Sequence, residues 1–305
     1  MDGQAVAMSM PKKSIFRALS GAIVIANLAL SASFTTSCSA ADRPRSEQEL
    51  IVPLSELSGL AMRTLPGGGL ELLAVGDEER TIVALPIEAG VPNPDKARRI
   101  SLPMPVVAGG SQLEGISVDS EGHVWVLAEP GEVYVYELDG DQAKELWNKP
   151  IVFLPGHPLA ASWEADPNTR AEGLALVGKR VFIVKQASPA ALIELLVEPD
   201  RLVAGPSHTL ADMKDASDLA LVGDELFIIG ARTARICAIA IPGEKGPGDK
   251  AGGTACRRTW RLPANLGKGK TQWEGLAFLP DGRAVVGVDR KKFDRPNIAV
   301  IPALR

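Results

Sequence analysis

The sequence predicts an all-β chain folded as a single β-propeller, most simply five four-stranded blades. Three observations predict it. A short motif ending in Gly-Leu or Gly-Ile, with one Asp-Leu variant, recurs five times, its third residue falling at positions 59, 115, 173, 218 and 275. Each copy is followed by apolar runs rich in β-branched and aromatic residues, which favour strand over helix. Turn-formers are abundant, with 30 Gly and 23 Pro in 305 residues. Sheets repeated radially with their edges protected make a propeller.

The elements follow in order. The first repeat has Leu57-Ser58-Gly59-Leu60, then an apolar stretch over 71–85. The second has Leu113-Glu114-Gly115-Ile116, then 123–138, and the third Ala171-Glu172-Gly173-Leu174, then 180–195. The fourth has Ala216-Ser217-Asp218-Leu219, then 225–241, and the fifth Trp273-Glu274-Gly275-Leu276, then 283–301. Each unit reads as three strands around Gly- or Asp-containing turns. An outer fourth strand is expected at Arg99–Leu102, Ile151–Leu154, Ser207–Leu210 and Arg258–Leu262. The fifth unit is too short to supply its own. Leu50–Leu54 is expected to pair with Asn297–Ile301 and close the ring, because an open ring leaves an unpaired β-edge. A six-bladed ring would need a further stretch of about 45 residues, and none stands out.

The N-terminus reads as an address. Lys12, Lys13 and Arg17 precede the uncharged run 18–34, and small residues lead to Cys38. This is the layout of an export signal, so residues 1–38 are read as signal or anchor, 39–49 as tether and 50–305 as propeller. Cys38 directly after small residues suggests a lipoprotein cysteine, although Thr35 stands where that pattern wants Leu. Cleavage after Ala40 or retention as an uncleaved anchor are the alternatives, the apolar run being at the short edge for a span. Cys237 and Cys256 flank the Gly-rich stretch 243–253. On adjacent strands of an exported protein they are expected to form a disulfide; the alternative is two free thiols.

Taken in order, Ser-Gly-Leu, Leu-Glu-Gly-Ile, Ala-Glu-Gly-Leu with KQASP (185–189) and LIEL (192–195), Ser-Asp-Leu, and QWEGL (272–276) with a Pro-Asp-Gly turn resemble the SdiA-regulated family, the YjiK-like extracytoplasmic propellers. The similarity covers roughly residues 50–302. It implies a propeller that is exported or membrane-anchored, and it implies no activity. The chain departs from the family pattern at Asp218, where Gly is usual, and at Gln186, often acidic in the family.

The first strand of a propeller blade lines the central channel. Ser58, Glu114, Glu172, Ser217 and Glu274 begin those strands, and the antiparallel second strands return Asp77, Glu129, Gln186, Arg232 and Asp289 to the same rim. Clustered carboxylates repel unless neutralised. The metal reading places Ca²⁺, a cation bound by oxygen ligands, among Glu114, Glu172, Glu274, Asp77 and Asp289, with Arg232 as a counter-charge. The structural reading has each Glu accept hydrogen bonds from backbone N–H groups of the next blade. A catalytic reading makes Glu114 or Glu274 a general base.

Other signatures fail. No G-x-S-x-G, H-E-x-x-H, C-x-x-C or EF-hand loop is present. GKGKT (267–271) lacks the first glycine of a phosphate loop. His123, His157 and His208 fall in a turn, a loop and an outer strand without a visible partner. The insertion 155–169 carries Trp163 and reads as a surface loop or a lid. A net charge of −4 argues against nucleic acid as a partner. The expectation is an exported monomer, anchored to the membrane through its N-terminus, that binds a small ligand or an envelope protein. The alternative is a Ca²⁺-dependent esterase, lactonase or phosphoesterase with its site at the channel mouth.

Overall fold

The computed structural model describes residues 46–105, 112–129, 131–166, 169–243, 254–263, 266, 272–292 and 294–304. The signal segment with Cys38, most of the Gly-rich stretch 243–253 and the GKGKT stretch lie outside them.

The described residues form antiparallel meanders. The first comprises β2 (Leu57–Thr64), β3 (Leu70–Gly76), β4 (Glu79–Glu88) and, after the short β5 (Val91–Pro92), β6 (Arg98–Ser101). The second is β7 (Leu113–Val118), β8 (Val124–Ala128), β9 (Glu132–Asp139) and β10 (Gln142–Val152). The third is β11 (Ala171–Val177), β12 (Arg180–Lys185), β13 (Ala191–Val197) and β14 (Leu202–Thr209). The fourth is β15 (Asp218–Val222), β16 (Glu225–Gly230), β17 (Arg235–Ala240) and β18 (Arg258–Arg261). The last is β19 (Trp273–Phe278), β20 (Ala284–Val288) and β21 (Ile298–Ile301), completed by β1 (Gln48–Leu50) from the other end of the chain. The second and third meanders are joined through a short parallel pairing of β10 with β14, Ile151↔Leu202 and Val152↔Val203. The first strands touch one another in cyclic order, β2, β7, β11, β15, β19 and back to β2. The fold is a β-propeller.

Side chains alternate across each strand, and here both faces are covered by a neighbouring meander. Leu73, Val75, Ile82 and Ala84 face the second meander and pack on Ile116, Val126 and Tyr136. Leu72, Ala74, Val83 and Leu85 face the other way, onto Val285, Ile298 and Val300. This explains why the inner strands read as unbroken apolar runs and not as alternation. Cys237 on β17 and Cys256 just before β18 are joined as a disulfide with Cα atoms 5.4 Å apart, as the sequence predicts.

Three boundaries differ from expectation. The closing strand is Gln48–Leu50, pairing with Ile298–Val300, and not Leu50–Leu54. Residues Val52 and Leu54 are buried but leave the ladder. The fully buried Asn297 side chain holds them instead, accepting from Val52 N at 2.7 Å and donating to the carbonyls of Val52 and Leu54 at 3.0 and 3.2 Å. The expected tether therefore gives up residues 48 and 49 to the sheet. The outer strand of the second meander is β10, of which Ile151 and Val152 are only the end. Its alternating exposed residues marked it poorly as strand. The insertion 155–169 contains a helix, α1 (Ala160–Ala165), whose Trp163 is buried against Phe153, ring centroids 4.6 Å apart. Trp163 is thus a wedge between the second and third meanders, as a packed side chain and not a mobile lid residue.

Candidate functional site

The first strands meet at the propeller axis, and the anchor residue of each repeat shows why it must be small. A Cβ on Gly59 would lie 3.0 Å from Gly115 Cα, and one on Gly115 would lie 3.0 Å from Gly173 Cα and 2.9 Å from Leu174 N. A Cβ on Gly173 would come within 2.5 Å of Asp218 Cα. The strands are in backbone contact, leaving no room for a side chain on these three.

The fourth repeat breaks the pattern with Asp218, which is fully buried. Its carboxyl accepts from Leu276 N at 2.8 Å, from its own Leu219 N at 2.8 Å and from Leu60 N at 3.4 Å. One side chain therefore ties β15 to β19 and β2. Burial holds its proton affinity well above the usual aspartate range, with the three N–H groups opposing. The blade-to-blade locking that the sequence suggested for the glutamates is performed by Asp218. Among the described residues no backbone N–H bonds the carboxyls of Glu114, Glu172 or Glu274.

One residue before the anchors stand Ser58, Glu114, Glu172, Ser217 and Glu274. The three glutamates are 8%, 7% and 7% exposed. They act on one another. Burial, then the carboxyls of Glu172, Asp77, Glu274 and Glu129, hold Glu114 well above the usual carboxylate range. Glu172 is raised by burial, then by Glu274, Glu129, Asp77 and Asp218. Glu274 is raised by burial, then by Asp289, Asp77, Glu56 and Asp218. Burial also raises Asp77, Glu129 and Asp289, the residues that follow β3, β8 and β20. The structure thus brings together all five predicted acidic residues, with Glu129 and Glu56 beside them.

The serines are spoken for. Ser58 Oγ donates to Asp77 Oδ1 at 3.0 Å, and Ser217 Oγ donates to Trp273 O at 2.6 Å. The rim is held by backbone bonds between meanders: Gln112 N to Asp77 O, Ala216 N to Gln186 O, Trp273 N to Ala231 O and Glu56 N to Arg290 O, all within 3.2 Å.

Cations near the rim are engaged elsewhere. The buried Lys185 donates to Ala187 O, and burial lowers its proton affinity, with Asp166 opposing. Arg290 donates to Leu266 O at 2.6 Å, and Lys291 pairs with Glu56 at 3.1 Å. Arg232, the expected counter-charge, is exposed and makes no ion pair among the described residues. Glu172 is the extreme case: nine-tenths buried, facing four other carboxyls, its own carboxyl without a hydrogen-bond partner among the described residues. Among the described residues no three His, Cys, Asp or Glu side chains are grouped closely enough to hold a metal ion.

The histidines lie away from this rim. His123 contacts Asp119 at 3.1 Å, His157 contacts Gly205 O at 2.9 Å, and His208 sits on β14.

Beyond the glycine level the axis is filled by Leu60, Ile116, Leu174, Leu219 and Leu276. It then opens at the opposite face into a cavity of about 220 Å³, whose rim is Met62, Val118, Leu176, Leu221 and Phe278. The axis therefore carries two separate cups, one acidic and one apolar. Sequence reasoning missed the role of Asp218 and the apolar cup. The second was signalled by the repeat itself, which continues from each anchor as Leu-Ala-Met, Ile-Ser-Val, Leu-Ala-Leu, Leu-Ala-Leu and Leu-Ala-Phe.

Searches against family models and against curated proteins find no match. Solved structures do resemble the chain. Glutaminyl cyclase of Myxococcus xanthus has a TM-score of 0.50 at 12% identity, with 86% of this chain and 93% of that one covered. The PQQ-bound aldose sugar dehydrogenase of Streptomyces coelicolor has a TM-score of 0.49 at 14% identity, covering 86% and 98%. The Cps50 (Swd1) β-propeller domain of Myceliophteria thermophila has a TM-score of 0.43 at 11% identity, covering 81% and 72%. These likenesses concern the fold alone. No helix among the described residues is long and apolar enough to cross a membrane.

Proposed function

We propose that this chain is an exported, membrane-anchored five-bladed propeller of the SdiA-regulated, YjiK-like type, serving as a binding module whose acidic cup receives a cationic ligand. The observation that carries the reading is Glu172, buried and unpartnered in a ring of carboxyls contributed by different blades. Such a cluster costs stability in the folded protein, and a cation from outside relieves that cost. The motif series and the N-terminal layout support export, and the Cys237–Cys256 disulfide is consistent with an oxidising compartment.

The topology supports an accessible cup. Outer strands run toward the acidic face, and β1 is an outer strand. The chain therefore enters the propeller at the apolar face, at Gln48 opposite Val300. A tether attached there leaves the acidic cup unobstructed.

The test is thermal unfolding of the full chain at constant ionic strength with EDTA, Ca²⁺, Mg²⁺ and small organic cations. A cation that binds the folded state raises Tm, and Glu172→Gln abolishes the rise. A Tm unmoved by every cation at millimolar concentration overturns the reading. Ester hydrolysis that depends on added Ca²⁺ would replace the binding module with a metal-dependent hydrolase. Cys38→Ser, followed by membrane fractionation, tests the lipid anchor: the chain leaves the membrane fraction if the anchor is a lipid.

A further inference from the structure

The walls of the acidic cup select among cations, and this inference rests on the cation-binding reading above. Ca²⁺ takes six to eight oxygens at about 2.3–2.6 Å, which requires several carboxylates drawn to one point. The described carboxyls are distributed around the cup, and no three are grouped that closely. A charge-assisted N–H···O bond spans about 2.7–2.9 Å and runs outward from the nitrogen in fixed directions. An ammonium nitrogen therefore suits a wider ring of acceptors than a metal does.

The number and type of acceptors also match. Three of the five blades present a glutamate at the first position of the inner strand: Glu114, Glu172 and Glu274. The other two present Ser58 and Ser217, whose hydroxyls already donate to Asp77 and Trp273. A primary ammonium carries three N–H donors and no acceptor. The neighbours that raise the glutamates are carboxyls, Glu56, Asp77, Glu129, Asp218 and Asp289, and the cations facing them are Arg170 and Lys291. Trp273, the aromatic residue beside Glu274, is turned into the apolar layer between the fourth and last meanders. A quaternary ammonium, which is held by aromatic faces, has no such partner there. The floor is closed by Asp218 and the leucine ring, so only the terminal group of a ligand enters.

We propose that the acidic cup takes the primary ammonium group of a small alkylamine. Binding places the three N–H donors on Glu114, Glu172 and Glu274, and drives off protons that those carboxyls hold when the cup is empty.

The test is calorimetric titration of the full chain near pH 7.5 and constant ionic strength, with n-butylamine, 1,4-diaminobutane, tetramethylammonium and CaCl₂ as separate probes. The amines are expected to bind saturably, with an enthalpy that changes with the buffer's ionisation enthalpy because protons are released. Tetramethylammonium and Ca²⁺ are expected not to saturate. Glu172→Gln and Glu274→Gln are expected to weaken amine binding at least about tenfold, the scale of one lost charged hydrogen bond. Both variants keep the wild-type circular dichroism spectrum, since each removes a repelled charge. Saturation by Ca²⁺ and not by amines overturns the ammonium assignment and leaves the cation-binding reading standing. Equal binding of tetramethylammonium and butylamine also overturns it, showing charge attraction without N–H recognition. Binding of no cation overturns both.

Discussion

The two ends of the propeller axis are built by the same five strands, yet one end is an acidic cup and the other an apolar one. At the acidic end the inner strands begin with Glu114, Glu172 and Glu274. Four residues further on, the same strands present Val118, Leu176 and Phe278. Between the ends, glycines let backbones touch, and Asp218 bonds the N–H groups of three strands. The difference teaches how the repeat divides its labour. The apolar end carries little electrostatic cost, while the acidic end holds carboxyls that the protein does not neutralise. Residues that destabilise a fold for no packing gain are those expected at functional sites.

The sharpest way to break the division is at the barrier itself. Asp218→Ala removes the acceptor of buried N–H groups on β2 and β19 and is expected to cost about 3 kcal/mol, from one to three per orphaned donor. Asp218→Asn keeps one acceptor oxygen and is expected to cost less than half as much. Urea unfolding measures both. Equal losses would show that the charge, and not the acceptor, ties the strands.

Gly173→Ala pushes a methyl against the Asp218 backbone and is expected to cost about 1–3 kcal/mol by overpacking. Gly69→Ala is the control, because its Cβ meets only the Leu65 side chain at 3.5 Å. It is expected to change the urea midpoint by less than about 0.5 kcal/mol in equivalent stability.

The acidic cup is sharpened by pH. Glu114, Glu172 and Glu274 bind protons more tightly folded than unfolded. Above the unfolded carboxyl range the folded state therefore holds more protons than the unfolded one. Stability then falls as pH rises, until the folded groups have ionised. The expected profile has its highest stability near pH 5 and declines through neutrality. Glu172→Gln is expected to flatten that decline and to gain about 1 kcal/mol at pH 8, the equivalent of roughly one pKa unit. Thermal melts across pH 5–8 decide it, and a profile that rises with pH would refute the account.

At the apolar cup the smallest effect is expected. Leu221 is 36% exposed at the rim, so Leu221→Ser is expected to alter stability by less than about 0.5 kcal/mol and to leave the pH profile unchanged. A change in the pH profile would mean that the two cups communicate.

Much of this was readable in the chain. The five anchors, the apolar inner strands, the disulfide and the convergence of Glu114, Glu172, Glu274, Asp77 and Asp289 all follow from a repeat whose side-chain period is two. The edges were harder. β10 alternates exposed residues and contains Lys144, Glu145 and Lys149, so its sequence resembles a loop until β9 pairs with it. The closing strand slipped toward the N-terminus because the Asn297 side chain, 245 residues from Val52, takes over the backbone groups of residues 52 and 54.

The sequence by itself determined the repeat, the strand faces and which side chains share a rim, because local periodicity and turn chemistry dictate them. Tertiary structure alone decided that Asp218 closes the axis and that the glutamates stand without N–H partners. Those outcomes depend on how closely strands from separate repeats approach. That distance is set when all the blades pack together, and no single repeat encodes it.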